Sequence, residues 1–489
     1  MAFIKLALFT AAMLSTGYAS AETIQILFTH DGMGELEPCG CRSNPLGGVV
    51  RRSALSEKLK KEAEKTFQVE IGNSFFENST TPEGMKSVLK YQSEKIAESF
   101  PLFPLHLFVP GEKDFSLGLE HLLKLKTKAK TPFLAANLSG SKKTLPFLKS
   151  KADKVGAKSI LWVGLVGEDL SLPEGLQITD PETALRAEMQ KQGFKSETHF
   201  LVVLSQLGME KDRELVKKIP EIHLILGSRD QSFTQIPVNE GKTTLLQTSY
   251  RNQHIGRVRL ALESGKIESE FIPLDESYDP SAPEKALKLV AEWKAGVEKL
   301  SRVNAVLDDG KKSKIEPLQT FVNCASCHEP VFNFWRKTDH ANALHPLKEK
   351  SLLTHPSCLK CHTVSKENPA ILTNVGRKGD WKENELLMNQ IIRAENMDSS
   401  IKLFSDTGAI SMRDAFSEVK HVRGSVQCES CHVSTGNHPF SGSMPKSVPD
   451  STCIKCHTQE RAPSWYNSKG LDASLFAEKR KKVQCPHIE

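Results

Sequence analysis

Four times between Cys324 and His457 the chain repeats Cys-x-x-Cys-His: Cys324-Ala-Ser-Cys327-His328, Cys358-Leu-Lys-Cys361-His362, Cys428-Glu-Ser-Cys431-His432 and Cys453-Ile-Lys-Cys456-His457. This spacing suits covalent haem attachment. Two thiols add across the vinyl groups, and the next histidine reaches the iron from the same short turn. A single copy also fits zinc, but zinc ribbons pair two Cys-x-x-Cys units and need no histidine behind each second cysteine. Four copies predict four covalently attached haem c groups, with the eight motif cysteines as thioether donors. His328, His362, His432 and His457 are then the proximal iron ligands. Such a segment folds around its porphyrins, whose flat apolar surfaces replace side-chain core. Residues 316–489 accordingly lose strand patterning and are rich in small polar residues, proline and histidine. Only 382–394 and 411–419 read as clear helices, and the cysteine-free stretch 363–427 holds no fifth motif.

The other end of the chain specifies a compartment. Residues 1–21 carry Lys5, an apolar stretch over 6–14 and Ala19-Ser20-Ala21 before Glu22, the pattern of a cleaved secretory signal peptide. The apolar stretch is too short to span a bilayer. No cysteine lies near the cut to take a lipid, and no later window is apolar enough to cross a membrane. The expectation is a periplasmic protein without a transmembrane segment, which agrees with haem attachment on the export side in bacteria. The formal charge of +6 would be roughly cancelled by haem propionates, and aromatic content is only 7% without basic–aromatic interleaving, so no nucleic-acid partner is expected. The partners expected are periplasmic redox proteins.

Eight of the eleven cysteines belong to the motifs, leaving Cys39, Cys41 and Cys485. An odd remainder cannot all pair internally. Cys39 and Cys41 flank one glycine, a spacing that rarely closes a good disulfide. A metal, a bridge to Cys485 or a role as plain loop thiols are all open to them.

Residues 22–280 alternate between apolar runs and amphipathic stretches, the pattern of a layered α/β domain. Strands are expected at 23–29, 67–71, 105–109, 133–136, 159–166, 199–204, 222–226, 243–247 and 256–262, and helices at 53–65, 86–99 and 117–126. Residues 281–315 form a connector. Ser281 and Glu284 read as a capping box, and Ala286, Val290, Trp293, Val297, Leu300 and Val303 recur at spacings of four and three over a helix of about 24 residues. That helix could pack on either neighbour.

The front half resembles the 5′-nucleotidase branch of the metallophosphoesterases. The resemblance rests on Ile26-Leu-Phe-Thr-His30-Asp31-Gly-Met33-Gly34-Glu-Leu-Glu-Pro with Pro45-Leu-Gly47-Gly48-Val-Val-Arg51-Arg52, and on the later stretches around Gly72-Asn73, Gly111-Glu112-Lys113-Asp114, Asn137-Leu138, Ser205-Gln206 and Gly227-Ser228-Arg229-Asp230. It implies a layered α/β sandwich but not the chemistry. Two dications sharing one hydroxide need a bridging carboxylate and several imidazoles. Asp31 matches the family's first aspartate. Met33, Asn73, Glu112-Lys113, Gln206 and Ser228-Arg229-Asp230 stand where ligands are required. His30, Asp31, Glu112 and Asp114 are left for a different site or for buried structural hydrogen bonding. Lys113 is expected in ion pairs, and Arg51, Arg52 or Arg229 are available to an anion-binding remnant.

The tail resembles the cytochrome c554-type multihaem family. Trp335-Arg-Lys-Thr-Asp-His340 after the first motif and Cys428-Glu-Ser-Cys431-His432-Val-Ser-Thr-Gly-Asn-His438 around the third carry the resemblance. It implies distal iron ligation by His340 and His438. Val433-Ser434 replaces the family's usual Gly-Pro. His421 and His355, each just before a motif, are further distal candidates, whereas His345 and His487 read as surface or terminal histidines. A second imidazole closes the iron for electron transfer, and an empty position opens it to a small substrate.

The expected architecture is therefore an α/β, metallophosphoesterase-like sandwich followed by a mainly α and irregular tetrahaem cytochrome c domain. The first functional expectation is electron transfer, with the front half as a non-catalytic docking module. The rival is a multihaem oxidoreductase acting on a small nitrogen or sulfur compound at an open haem. Metal-dependent phosphoester hydrolysis ranks behind both.

Overall fold

A computed structural model describes residues 23–38, 45–81, 85–140, 144–167, 172–230, 233–308, 321, 324, 328–343, 345–352, 355–363, 425–432, 447–459, 461–467 and 470–486. The expected signal peptide, the helices expected at 382–394 and 411–419, and Cys39, Cys41, Cys327, His421, His438 and His487 lie outside the described residues.

The front half runs β1 (Thr23–His30), α1 (Val49–Lys60), β2 (Lys65–Ile71), α2 (Lys86–Ser99), β3 (Leu107–Val109) and α3 (Leu119–Ala129). It continues through β4 (Leu138–Gly140), β5 (Ser150–Val155), β6 (Lys158–Val166), β7 (Leu176–Ile178), α4 (Pro181–Lys191), β8 (His199–Gln206), α5 (Met209–Lys218) and β9 (Leu224–Leu226). It closes with β10 (Val238–Glu240), β11 (Thr243–Leu246), β12 (His254–Ala261) and β13 (Lys266–Pro273). One sheet has the order β13-β12-β1-β2-β3 and the other β10-β11-β9-β8-β6-β5. β1, β2 and β3 are parallel, as are β6, β8, β9 and β11, while β12 and β13 in the first sheet and β5 and β10 in the second pair antiparallel. Parallel neighbours require crossover connections, and α1, α2, α4 and α5 supply those between β1 and β2, β2 and β3, β6 and β8, and β8 and β9.

Alternation along β6 sets the layers. Ile160 and Trp162 enter the core between the sheets, whereas Leu161, Val163 and Leu165 face Leu185 of α4 and Leu215 and Val216 of α5. Phe67 of β2 meets Trp162 edge-on, centroids 5.5 Å apart, and joins the two sheets. On the outer face of the first sheet, Leu27 and Ile255 pack on Leu55 and Leu59 of α1. The result is an α/β/β/α sandwich, as expected.

Several local expectations need correcting. The first helix starts at Val49, four residues earlier than expected, because Gly48 at φ 90° turns the chain directly into it. Residues 133–136 make only isolated bridges, Phe108 with Phe133 and Leu134 with Leu148. Ser281 does not cap the connector helix. It ends a short 3-10 turn (Glu276–Ser281), and its hydroxyl donates to the Tyr278 carbonyl at 3.0 Å.

The connector α6 (Glu284–Asp308) packs on the front half. Ala286, Val290, Trp293 and Val297 are buried, the last three within the core shared with α2 and the sheets. The Tyr91 hydroxyl donates to the Glu292 carbonyl, Lys95 pairs with Glu292, and Lys294 pairs with Glu37.

The tail contains only short helices among the described residues: α7 (Glu329–Trp335), α8 (His345–Glu349), α9 (Pro356–His362), α10 (Cys428–Cys431), α11 (Asp450–Ile454) and α12 (Ala473–Lys481). Its apolar clusters are small. Phe321, Phe332 and Trp335 form one, Trp465 and Phe476 another. Leu347, Leu352 and Leu359 instead join the front half's core. No described helix is long and apolar enough to cross a membrane.

Candidate redox site and the cleft of the front half

The ends of β1 and β8 and the loops following β1, β2, β3 and β9 bring His30-Asp31, Asn73, Glu112-Lys113-Asp114, Gln206 and Ser228-Arg229-Asp230 to the carboxyl ends of the strands, where ligands of α/β sheets bind. Here the groups bond to one another. Asp31 Oδ1 accepts from the Asn73 backbone N–H at 3.0 Å and from its Nδ2 at 2.7 Å. Asp31 Oδ2 contacts His30 Nδ1 at 2.9 Å and accepts from the Arg229 backbone N–H at 2.9 Å. Burial acts to raise the Asp31 carboxyl, but His30 and the two backbone amides outweigh it and hold the group below its ordinary value.

Asn73 Oδ1 takes the Lys113 backbone N–H at 2.8 Å, and Gln206 Nε2 donates to the Gly72 carbonyl. Asp114 accepts backbone N–H groups from Ser74, Phe75 and Gly111, yet complete burial pushes its carboxyl up to about 7. Space is short as well. A Cβ on Gly72 would lie 2.2 Å from Asp114 Oδ2, and one on Gly111 would lie 2.4 Å from Asn73 Oδ1. Among the described residues, no three His, Cys, Asp or Glu side chains gather where a metal ion could sit.

Buried hydrogen bonding, one of the two roles expected for His30, Asp31 and Asp114, is what the cleft contains. Among the described residues Lys113 makes no ion pair, contrary to expectation, and its ammonium meets Met33 Sδ at 3.3 Å. Arg51 and Arg52 are also committed. Arg51 holds Asp279 at 2.7 Å, and Arg52 holds buried Glu70 at 2.6 Å while lying over the Phe103 ring.

In the tail the four motifs come together in twos. Cys324 of the first motif neighbours Cys428 of the third, and Cys361 of the second neighbours Cys456 of the fourth. Hydrogen bonds beside the motifs accompany the first pairing. The Phe321 N–H donates to Gln427 Oε1, Trp335 Nε1 donates to the Val426 carbonyl, and the Val426 N–H donates to the His340 carbonyl. The Ser425 N–H reaches the His362 carbonyl and so links the third motif to the second.

Haem fits these residues. The described motif cysteines are partly buried and are not joined in disulfides. His362 Nδ1 donates to the Ala343 carbonyl, which fixes the tautomer and would leave Nε2 available to an iron. His340 and His457 have ring centroids 6.1 Å apart. His457 also stacks on Trp465 at 4.2 Å.

Two further described histidines, His355 and His345, are engaged elsewhere. His355, expected as a distal candidate, is buried against the front half, its Nε2 2.7 Å from Gln92 Oε1 and its ring 5.6 Å from that of Trp293. Burial lowers its imidazole to about 4. His345 pairs with Glu349 at 3.2 Å on the surface of the short helix α8.

Sequence reasoning did not single out a charged cluster where the tail meets the front half. Glu77, on the loop after β2, takes Arg461 Nη2 at 2.6 Å, Lys360 Nζ at 2.9 Å and Arg251 Nη2 at 3.0 Å. Arg251, 1% exposed, also pairs with Glu35. Burial acts to raise Glu77, but Arg461, Lys360 and Arg251 outweigh it and hold the carboxyl far below its ordinary range. Lys360 lies inside the second motif and was its only legible signal.

Comparison with known proteins follows the same division. Residues 323–379 match the family described as cytochrome c554 and c-prime. The tail resembles a c554-type cytochrome. That family implies haem c as cofactor. The front half is similar to NAD 5′-nucleotidase of Haemophilus influenzae, 24% identical over 45% of this chain and 39% of that protein. It is also similar to Protein 5NUC of Lutzomyia longipalpis, 25% identical over 50% of this chain and 46% of that one. The chain thus spans less than half the length of these curated relatives. Among solved structures, the 5′-nucleotidase precursor of Thermus thermophilus aligns with a TM-score of 0.49 at 19% identity, covering 57% of this chain and 59% of that one.

Proposed function

We propose that the chain is an exported, periplasmic tetrahaem c-type cytochrome that transfers electrons between proteins, with a front half that docks and supports and does not hydrolyse. The observation that carries this reading is the pairwise convergence of the four Cys-x-x-Cys-His motifs, thiol beside thiol, behind a sandwich domain whose own cleft is filled by hydrogen bonds. When bound, haem supplies the one-electron chemistry. The chain's residues tether the porphyrins through the motif cysteines, present His328, His362, His432 and His457 as proximal ligands, and orient His362 through the Ala343 carbonyl. His340, whose ring lies 6.1 Å from that of His457, would serve as a distal ligand, with His438 and His421 available to other irons. The domain limits are 22–280, 281–315 and 316–489.

A pyridine haemochrome count joined to an electron paramagnetic resonance spectrum tests this directly. Four haems per chain and low-spin ferric signals are expected, and His340→Ala should convert one low-spin haem to high spin. Colourless protein from cells with an intact cytochrome maturation system would end the reading.

A second reading, a multihaem oxidoreductase working on a small nitrogen or sulfur compound at an open haem, gains support from His355 and His345. Both are engaged elsewhere, which thins the supply of distal ligands. It predicts a high-spin signal in the unaltered protein that moves with nitrite, hydroxylamine or carbon monoxide.

A further inference from the structure

The charge cluster between the halves offers an explanation for why a phosphoesterase-like shell without its metal ligands is attached to haem motifs. Glu77 sits on the front half, yet two of its three cations belong to the tail: Lys360 within Cys358-Leu-Lys-Cys361 and Arg461 just after the fourth motif. Arg461 also directs Nη1 at Cys361 Sγ, 3.9 Å away. Charges fixed this close to a thioether-bearing cysteine act directly on the iron it tethers. Haem potentials respond to nearby net charge and burial, and partly buried pairs are only weakly screened by salt.

We propose that Glu77 is the front half's electrostatic control on the haem held by Cys358 and Cys361, setting its potential rather than its attachment. The inference rests on the haem reading above. A carboxylate favours the ferric state, which carries one more positive charge, and so lowers the potential. Arg461 does the opposite from the other side. Attachment of the two halves does not depend on this ion pair. Leu352 and Leu359 enter the front half's core, and His355 bonds Gln92. Arg251, held by Glu35 as well, keeps the loop in place.

The test is a spectroelectrochemical titration of the full-length holoprotein. Glu77→Gln should move one of four reduction waves to higher potential, and Arg461→Gln should move the same wave lower. Glu77→Asp should return most of the shift, and Glu37→Gln, which removes the Lys294 pair on the same rim, should move none. Opposite signs are the decisive outcome, because simple loosening of the interface would push both variants the same way. Four haems with unmoved waves, or waves that all move together, overturn the inference and leave the haem reading intact. A wild-type protein without four haems overturns both.

Discussion

The two halves of the molecule solve the packing problem by different means. The front half packs side chain against side chain. Trp162, Phe108, Phe133 and Ile160 are fully buried between and beside two sheets, and its polar groups bond to one another even where a cleft would be expected. The tail has short helices, small aromatic clusters and half-buried thiols, and three of its leucines are buried in the neighbour's core. A chain that leaves so much of its interior to a cofactor should lose that interior with it. The largest expected effect therefore comes from making the chain without a cytochrome maturation system. Limited proteolysis should then remove the tail within minutes while the sandwich and α6 persist as one fragment. Equal protection of the tail with and without haem would break the comparison.

The converse change sharpens it. Trp162→Ala removes the ring that joins the sheets through Phe67, at a cost of about 3–5 kcal/mol for a large buried aromatic. Thermal unfolding of the far-ultraviolet signal should fall accordingly, with the haem count and Soret spectrum at low temperature unchanged. A loss of haem in this variant would show that the tail depends on the sandwich core for assembly.

The cleft tests a different side of the same contrast. Asn73→Asp replaces a donor to Asp31 with a second buried carboxylate, and leaves like charges where Nδ2 stood at 2.7 Å. A loss of about 3 kcal/mol is expected at neutral pH, with no manganese- or zinc-dependent hydrolysis of a generic phosphodiester. The loss should shrink as pH falls and the new pair takes up a proton. Measurable hydrolysis in this single variant would mean that the shell is closer to function than its hydrogen bonds suggest.

What the sequence disclosed follows from how local each signal is. The Cys-x-x-Cys-His motifs are complete within five residues, and the runs at 159–166 and 199–204 are apolar on both faces because both faces are covered. Strands β5 and β13 escaped notice because they are edges. Their outward positions are Lys, Asp and Glu, which blunt an edge against further pairing but hide the strand pattern. Ser281 matched a cap by spacing alone, yet the chain enters α6 through a 3-10 turn whose geometry no pair of residues encodes. The cleft was readable as lost ligands, since single positions carry that chemistry. Its replacement network was not, because Asp31 reaches Arg229 and Gln206 reaches Gly72 across well over a hundred residues. Glu77 gave no signal at all. Its partner Arg461 is 384 residues away.

The smallest expected effect concerns Asp212, and it separates the halves by pH. The Ser205 hydroxyl donates to Asp212 Oδ1, while buried Oδ2 has no partner among the described residues. Burial, aided by Asp230, raises the carboxyl to about 7. The folded chain then holds a proton that the unfolded chain releases above its ordinary value of 3.8, so stability contributed here is present at acid pH and is lost as pH rises toward 7. In Asp212→Asn an amide takes the place of the protonated acid, still accepting from Ser205 and carrying no titrating proton. The variant should match the parent near pH 4 and be the more stable of the two at pH 7. Asp114, raised for the same reason, should keep its own share of the slope. Melting curves followed at both pH values measure this. A variant less stable than the parent at pH 7 would mean that the ionised carboxylate is held by partners the fold has in reserve, and that the front half is less dry than its core implies.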